Sequence, residues 1–151
     1  MAKAYLSLGS NQQPEWHLQH AVTALRESFG AIVLSEWHKY PAVGFDGPDF
    51  VNGAAIIETD WDAYALDTWL HELENAHGRR RDVPRFSSRT LDIDIIFFDE
   101  LIISGPGNLQ IPRAELKYAF VLQPLAEIAP EFVDPVSGET LSAMWQKHAD
   151  Y

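Results

Sequence analysis

The run Leu91-Asp92-Ile93-Asp94-Ile95-Ile96-Phe97-Phe98 narrows the folds open to this chain more than any other segment. It reads as a strand, and alternate side chains of a strand share a face. Leu91, Ile93 and Ile95 therefore make an apolar face that calls for helices. Asp92 and Asp94 point the other way, their α-carbons about 6.5–7 Å apart, so that second face cannot be sealed by an apolar layer. Asp is a poor strand former, and like charges on one face repel. A bound dication removes that repulsion, and Mg²⁺ characteristically takes one or two carboxylates together with phosphate oxygens and water. Immediately upstream, the segment from Gly78 carries Arg79, Arg80, Arg81, Arg85 and Arg89 and no lysine. The planar guanidinium fork suits bidentate binding of phosphate oxygens. Taken singly, the aspartates suit a solvated strand face and the arginines a basic loop. Their adjacency favours one site for a nucleotide triphosphate and its metal.

The strand has a place in a longer pattern. Ala4 to Leu8 reads as a first strand. From Pro14 a helical stripe of Leu18, Ala21, Val22, Leu25 and Phe29 runs to Gly30. Ala31 to Trp37 reads as a second strand, Pro41 to Pro48 as a loop of functional length, and Phe50 to Glu58 as a third strand. A second helix opens at Trp61-Asp62, buries Ala63, Leu66, Trp69, Leu70 and Leu73, and ends at Gly78. The order β-α-β-β-α-β predicts an α+β, ferredoxin-like antiparallel sheet with both helices on one face. Residues 99–151 form a C-terminal extension with short helices near 120–129 and 141–148. No repeat or linker interrupts the chain, and residues 1–151 read as a single domain.

Composition excludes several classes. The net charge of −11 opposes a general nucleic-acid binder, and the arginine window makes the remainder more acidic still. Such a cationic island suits a small polyanion. There are no cysteines, hence no disulfide framework and no thiolate chemistry. No apolar run has membrane-spanning length and no signal-peptide pattern opens the chain, which fits a cytoplasmic protein. The Gly-x-x-x-x-Gly-Lys loop and the Gly-x-Ser-x-Gly elbow are both missing. His17 and His20, with no third ligand nearby, read as a surface pair. Phe50 and Phe120 read most simply as core residues. Asn52, however, shares a strand face with Phe50, and an aromatic beside an amide suits a flat heterocycle.

Together these residues resemble the 6-hydroxymethyl-7,8-dihydropterin pyrophosphokinase family of folate biosynthesis. The resemblance rests on Tyr5-Leu6-Ser7-Leu8-Gly9-Ser10-Asn11, Pro48-Asp49-Phe50-Val51-Asn52, Glu74 with Gly78-Arg79-x-Arg81, Arg89-Thr90-Leu91-Asp92-Ile93-Asp94, and the segment from Phe120 to Pro130. It implies transfer of pyrophosphate from ATP to the pterin hydroxymethyl group with release of AMP. Asp92 and Asp94 would hold two Mg²⁺ ions, and Arg79 and Arg89 would neutralise the reacting phosphates. His71, Glu74, Arg81, Arg85, Phe86, Arg89 and Arg113 would line the ATP. Val43, Phe50, Asn52 and Phe120 would bind the pterin, with Phe50 or Phe120 stacking on the ring and Asn52 bonding its edge.

The chain departs from the family pattern around the nucleotide. Phe86-Ser87-Ser88 replaces Trp-x-Pro, Pro112-Arg113 replaces Pro-His, Tyr118 stands at an Arg position, and His38-Lys39-Tyr40 replaces Tyr-x-Thr. Arg113 and Lys117 are candidates to supply the missing donors. A divergent relative that binds a pterin or nucleotide without turnover is the alternative. An RNA-binding module of the same element order fits poorly, because aspartates occupy the strand face. Pterin and ATP are the expected partners, with no nucleic acid and no membrane, and nothing in the sequence identifies a protein partner.

Overall fold

A computed structural model describes residues 1–42, 44–78, 90–105 and 109–148. Its main sheet contains β1 (Ala2–Ser10), β2 (Val33–Leu34), β3 (His38–Tyr40), β4 (Phe50–Thr59) and β5 (Asp92–Phe98). The order is β2-β4-β1-β5, with β3 also on β4, and every pairing is antiparallel. Helices α1 (Pro14–Phe29) and α2 (Ala63–Ala76) contribute the apolar stripes that pack on this sheet. The predicted ferredoxin-like arrangement is the one observed. A small hairpin of β6 (Ile103–Ser104) and β7 (Gln110–Ile111) follows. A 3₁₀ turn (Ala114–Lys117), α3 (Ala119–Ile128) and α4 (Leu141–Gln146) complete the chain.

Local chemistry sets the helix ends. Pro14 opens α1, where its missing N–H costs nothing. Asp62 caps α2, its Oδ1 accepting the Ala65 N–H at 2.8 Å. Facing the sheet, Leu18, Ala21 and Leu25 of α1 and Leu66 and Leu70 of α2 meet Leu6, Leu8, Ile93 and Ile95 in one core. His17 does not lie on the surface as expected. It is buried, and its Nδ1 is 2.7 Å from Nδ1 of His77, the residue that caps α2.

The second predicted strand is broken into β2 and β3. Leu34 pairs with Ala55 and His38 with Asn52, so the three residues between them on one side face two on the other. Ser35 explains how this bulge is tolerated: its hydroxyl accepts the Ala54 N–H at 2.8 Å, standing in for a ladder carbonyl. A second irregularity lies in β5. Tyr5 pairs with Phe97 but Leu6 pairs with Ile95, which leaves Ile96 as the extra residue. Alternation therefore slips by one. Ile96 and Phe97 both join a second apolar cluster with Leu122, Leu125 and Leu141, while Phe98 returns to the first.

The C-terminal helices thus cover the apolar end of the sheet's second face and leave its Asp92 end open. Phe97 anchors that layer, its ring 6.0 Å from Tyr5 and 4.8 Å from Phe132 between centroids. Phe97→Ala is expected to cost about 3–5 kcal/mol. Urea denaturation followed by tryptophan fluorescence checks this, and a loss under about 1 kcal/mol would mean that α3 and α4 do not depend on the bulged strand.

Candidate active site

Strand register places the polar groups. On the face away from α1 and α2, Gly9 of β1 lies between Asn52 of β4 and Asp92 of β5, and the next row is Ala54, Ser7 and Asp94. The row beyond is Ile56, Tyr5 and Phe97, already under the C-terminal helices. The face therefore grades from carboxylate and amide to hydrocarbon along its length. Ser7, Gly9, Asn52, Asp92 and Asp94 line a pocket where the covering layer stops. Tyr40, Pro41, Phe45 and Phe50 also line it, as do Glu115, Tyr118, Phe120 and Val121.

Asn52 is held with unusual definition. It is 6% exposed, and its Nδ2 donates to the Leu8 carbonyl at 3.4 Å. That acceptor fixes which end of the amide faces the sheet. Its Oδ1 is buried and has no hydrogen-bond partner among the described residues. Leaving such an acceptor unmet costs about 1–3 kcal/mol, so the position is built to meet a ligand N–H or O–H. Gly9 makes room for it, because a Cβ there would stand 2.5 Å from Asn52 Nδ2.

Aromatic rings form the walls. Tyr118 stacks on Phe120 with centroids 5.1 Å apart and planes 10° from parallel. Phe45 meets Phe50 edge to face at 6.3 Å, and Tyr40 approaches Phe120 at 6.3 Å. The Tyr40 hydroxyl donates to Gln123 Oε1 at 2.5 Å. Burial, with the Glu127 charge, pushes its pKa up to about 12. It is thus a neutral wall and not a base. One turn further along α3, Glu127 accepts the Glu36 N–H at 2.7 Å and lies 2.8 Å from His38 Nε2. Gln123 and Glu127 thereby staple α3, which carries Phe120, to the strand that carries Tyr40.

The opposite end is ionic. Asp94 has its pKa driven well above the ordinary carboxyl value, first by burial and next by Asp92, with Arg113 opposing. Arg113 Nη1 lies 3.8 Å from Asp94 Oδ1, and its Nη2 donates to Glu115 Oε2 at 3.1 Å. Among the described residues no group of three or more His, Cys, Asp and Glu side chains is arranged to hold a metal. Asp92 and Asp94 are a pair of hard oxygen donors whose crowding a dication would relieve. That donor set fits Mg²⁺, which draws its remaining ligands from phosphate and water.

The structure brings Phe50, Asn52, Phe120, Asp92 and Asp94 together, with Arg113 touching Asp94. It does not bring His71 or Glu74 to the pocket lining. His71 is exposed on α2, 3.7 Å from Asp67. Glu74 is buried, and its Oε2 accepts the Ile93 N–H at 2.7 Å. Val43, Arg79, Arg81, Arg85, Phe86 and Arg89 lie outside the described residues. The sequence reading did not place Ser7, Tyr40, Phe45, Glu115 or Tyr118 in the pocket. Tyr40 is placed there by its pairing with Phe50 across β3 and β4, a register that only the folded sheet shows. Glu115 gave no signal, being one acid in a polar segment.

Comparison with known proteins agrees with this geometry. The sequence model of the family described as 7,8-dihydro-6-hydroxymethylpterin-pyrophosphokinase (HPPK) matches residues 5–130. A 2-amino-4-hydroxy-6-hydroxymethyldihydropteridine pyrophosphokinase from Synechocystis sp. is 37% identical, over 91% of this chain and 72% of that protein. The protein of the same name from Haemophilus influenzae is 35% identical, over 100% of this chain and 96% of that one. Among solved structures, the wild-type HPPK-DHPS of Plasmodium falciparum superposes with a TM-score of 0.71 at 14% identity. The match covers 97% of this chain and 44% of that one, and it shows a shared fold.

The staple has a pH signature. Burial raises the Glu127 pKa, but the Glu36 N–H and the His38 ring outweigh it, leaving a value below the ordinary 4.5. A depressed carboxyl pKa stabilises the fold above the unfolded-state value and ceases to do so as pH falls through the folded one. Glu127→Gln is therefore expected to lower stability by less than about 1 kcal/mol at pH 7, the pair being partly solvated. The gap from wild type should close in acid, as the pH falls through the depressed folded-state value. Chemical denaturation at neutral pH and in acid measures it, and an equal gap at both would show that the carboxylate charge is irrelevant.

Proposed function

The chain belongs to the 7,8-dihydro-6-hydroxymethylpterin-pyrophosphokinase family, and on that premise we propose that it transfers pyrophosphate from ATP to the hydroxymethyl group of 6-hydroxymethyl-7,8-dihydropterin, releasing AMP, as a cytoplasmic enzyme of folate biosynthesis. The observation that carries the substrate side is the buried Oδ1 of Asn52, without a hydrogen-bond partner among the described residues, in an aromatic-walled pocket. A pterin is a flat heterocycle with N–H donors on its edge. Phe50 and Phe120 offer faces for the ring, and Asn52 accepts from its edge. The pocket ends at Asp92 and Asp94, so a hydroxymethyl group on such a ring would be directed toward the carboxylates.

In the reaction the hydroxymethyl oxygen forms a bond to the β-phosphorus of ATP. The bond from that phosphorus to the α,β-bridging oxygen breaks, AMP departs with that oxygen, and the hydroxyl proton is lost. Aligning the two substrates and neutralising charge are the main demands of such a transfer. Asp92 and Asp94 are the residues that would hold two Mg²⁺ ions, which when bound neutralise phosphate charge and make the hydroxyl easier to deprotonate. Arg79 and Arg89 would share the phosphate charge. Arg81, Arg85, Phe86 and Arg113 would border the nucleotide. The aromatic walls limit water, which otherwise competes as acceptor.

AMP release from ATP with the pterin alcohol, with and without Mg²⁺, tests the assignment. Asp92→Asn and Asp94→Asn are each expected to cut turnover about 10³-fold or more while leaving the thermal midpoint near wild type. Pterin and ATP binding with no AMP formed by the wild type would identify a relative that binds without catalysing. Gly9→Ala probes the seat of the Asn52 amide. It should displace the Asn52 amide and raise KM for the pterin about tenfold or more, one lost hydrogen bond being worth that much. KM for ATP should stay unchanged, and equal effects on both substrates would remove Asn52 from the pterin edge.

A further inference from the structure

Arg113 is tied to the carboxylate end of the pocket at three points. Its backbone N–H donates to the Ile96 carbonyl at 3.3 Å, which fixes the root of the side chain beside β5. Nη2 donates to Glu115 at 3.1 Å, and Nη1 stands 3.8 Å from Asp94. One guanidinium therefore spans two carboxylates, one of them a proposed metal ligand. Its Nε is buried without a hydrogen-bond partner among the described residues. The fork can donate and never accept, and its charge is permanent. It cannot leave Asp94 by losing a proton, only by moving.

We propose that Arg113 is an exchangeable counter-ion of the metal site: it neutralises Asp94 and Glu115 before the dication binds, is displaced from Asp94 by it, and then turns its fork to the triphosphate. The inference rests on Asp92 and Asp94 being the metal ligands. A fixed cation in ion-pair range of a ligand oxygen competes with any dication for that oxygen and repels it. The same cation next to a polyphosphate is an asset, because phosphate oxygens accept the fork in bidentate fashion and can also reach Nε. The residue thus works against the bare dication and in favour of the dication–nucleotide complex. That is a device for loading metal and ATP together. Lysine, a point charge without the fork, could bridge neither Asp94 and Glu115 nor two phosphate oxygens with the same geometry.

The test uses Mn²⁺ as an EPR-visible probe on the full chain, alone and with a nonhydrolysable ATP analogue. Arg113→Gln should bind Mn²⁺ alone tighter by about tenfold or more, the scale of a removed charge repulsion at a partly buried site. The same variant should bind the Mn²⁺–analogue complex about tenfold more weakly, having lost a charge-assisted contact. Arg113→Lys, which keeps the charge, should lie between wild type and Arg113→Gln in both titrations. The opposed signs are what a merely structural arginine would not produce. Asp94→Asn separates the two levels of the argument. Wild-type Mn²⁺ affinity in that variant would remove the metal assignment itself. Loss of Mn²⁺ there, with Arg113→Gln no tighter for Mn²⁺ alone or no weaker for the complex, would overturn the exchange and leave the metal site standing.

Discussion

Two carboxylates on one face of a strand are the constraint around which this molecule is arranged. Asp92 and Asp94 cannot be packed under hydrocarbon, yet the same strand ends in Ile96, Phe97 and Phe98, which cannot be left in water. The fold resolves the conflict by covering only part of the sheet. The extra residue at Ile96 turns two consecutive apolar side chains onto one face, and α3 and α4 settle there. The covering layer gives out along the row of Ala54, Ser7 and Asp94: Ala54 still packs beneath it, while Ser7 and the charged Asp94 line the pocket. The pocket is the boundary between a face that had to be covered and one that could not be.

The main features of this arrangement were legible because they depend on short-range pattern. Period-two alternation in β5 and helical stripes in α1 and α2 fix which faces are apolar. The family resemblance supplied the roles expected of the site residues. What escaped depends on partners distant in sequence. The slip at Ile96 is a property of how β5 meets β1. The break between β2 and β3 depends on the Ser35 hydroxyl finding Ala54. Tyr40 enters the pocket only through its register with Phe50, and Glu115 only through the turn that follows β7.

Glu74 is the more instructive residue. The resemblance placed it along the nucleotide, and its observed partner is a backbone amide. It falls in step with Leu66 and Leu70, on the buried stripe of α2. A buried acid must be hydrogen-bonded. Among the described residues β5 is an edge of the main sheet, paired with β1 on one side, and so has outward N–H groups to satisfy. Glu74 accepts one of them at Ile93, between the two aspartates. An acid on the helix side of the sheet thereby fixes the strand that displays two acids on the other. Helical spacing alone could have suggested its burial, but not which N–H it would meet.

The charge distribution follows the same logic at longer range. A protein of net charge −11 is a poor host for a polyanion unless the repulsion is local and can be cancelled locally. Salt screens exposed charges beyond about 8–10 Å, so most of the acidic surface matters little to a nucleotide already in place. Among the described residues within that radius, the balance is set by Asp92, Asp94 and Glu115 against Arg113. A carboxylate end without a cation would reject ATP, and one already saturated with fixed cations would have no use for a metal. Arg113 between Asp94 and Glu115 gives an intermediate state: enough positive charge to keep the carboxylates together, held by a side chain long enough to be moved aside.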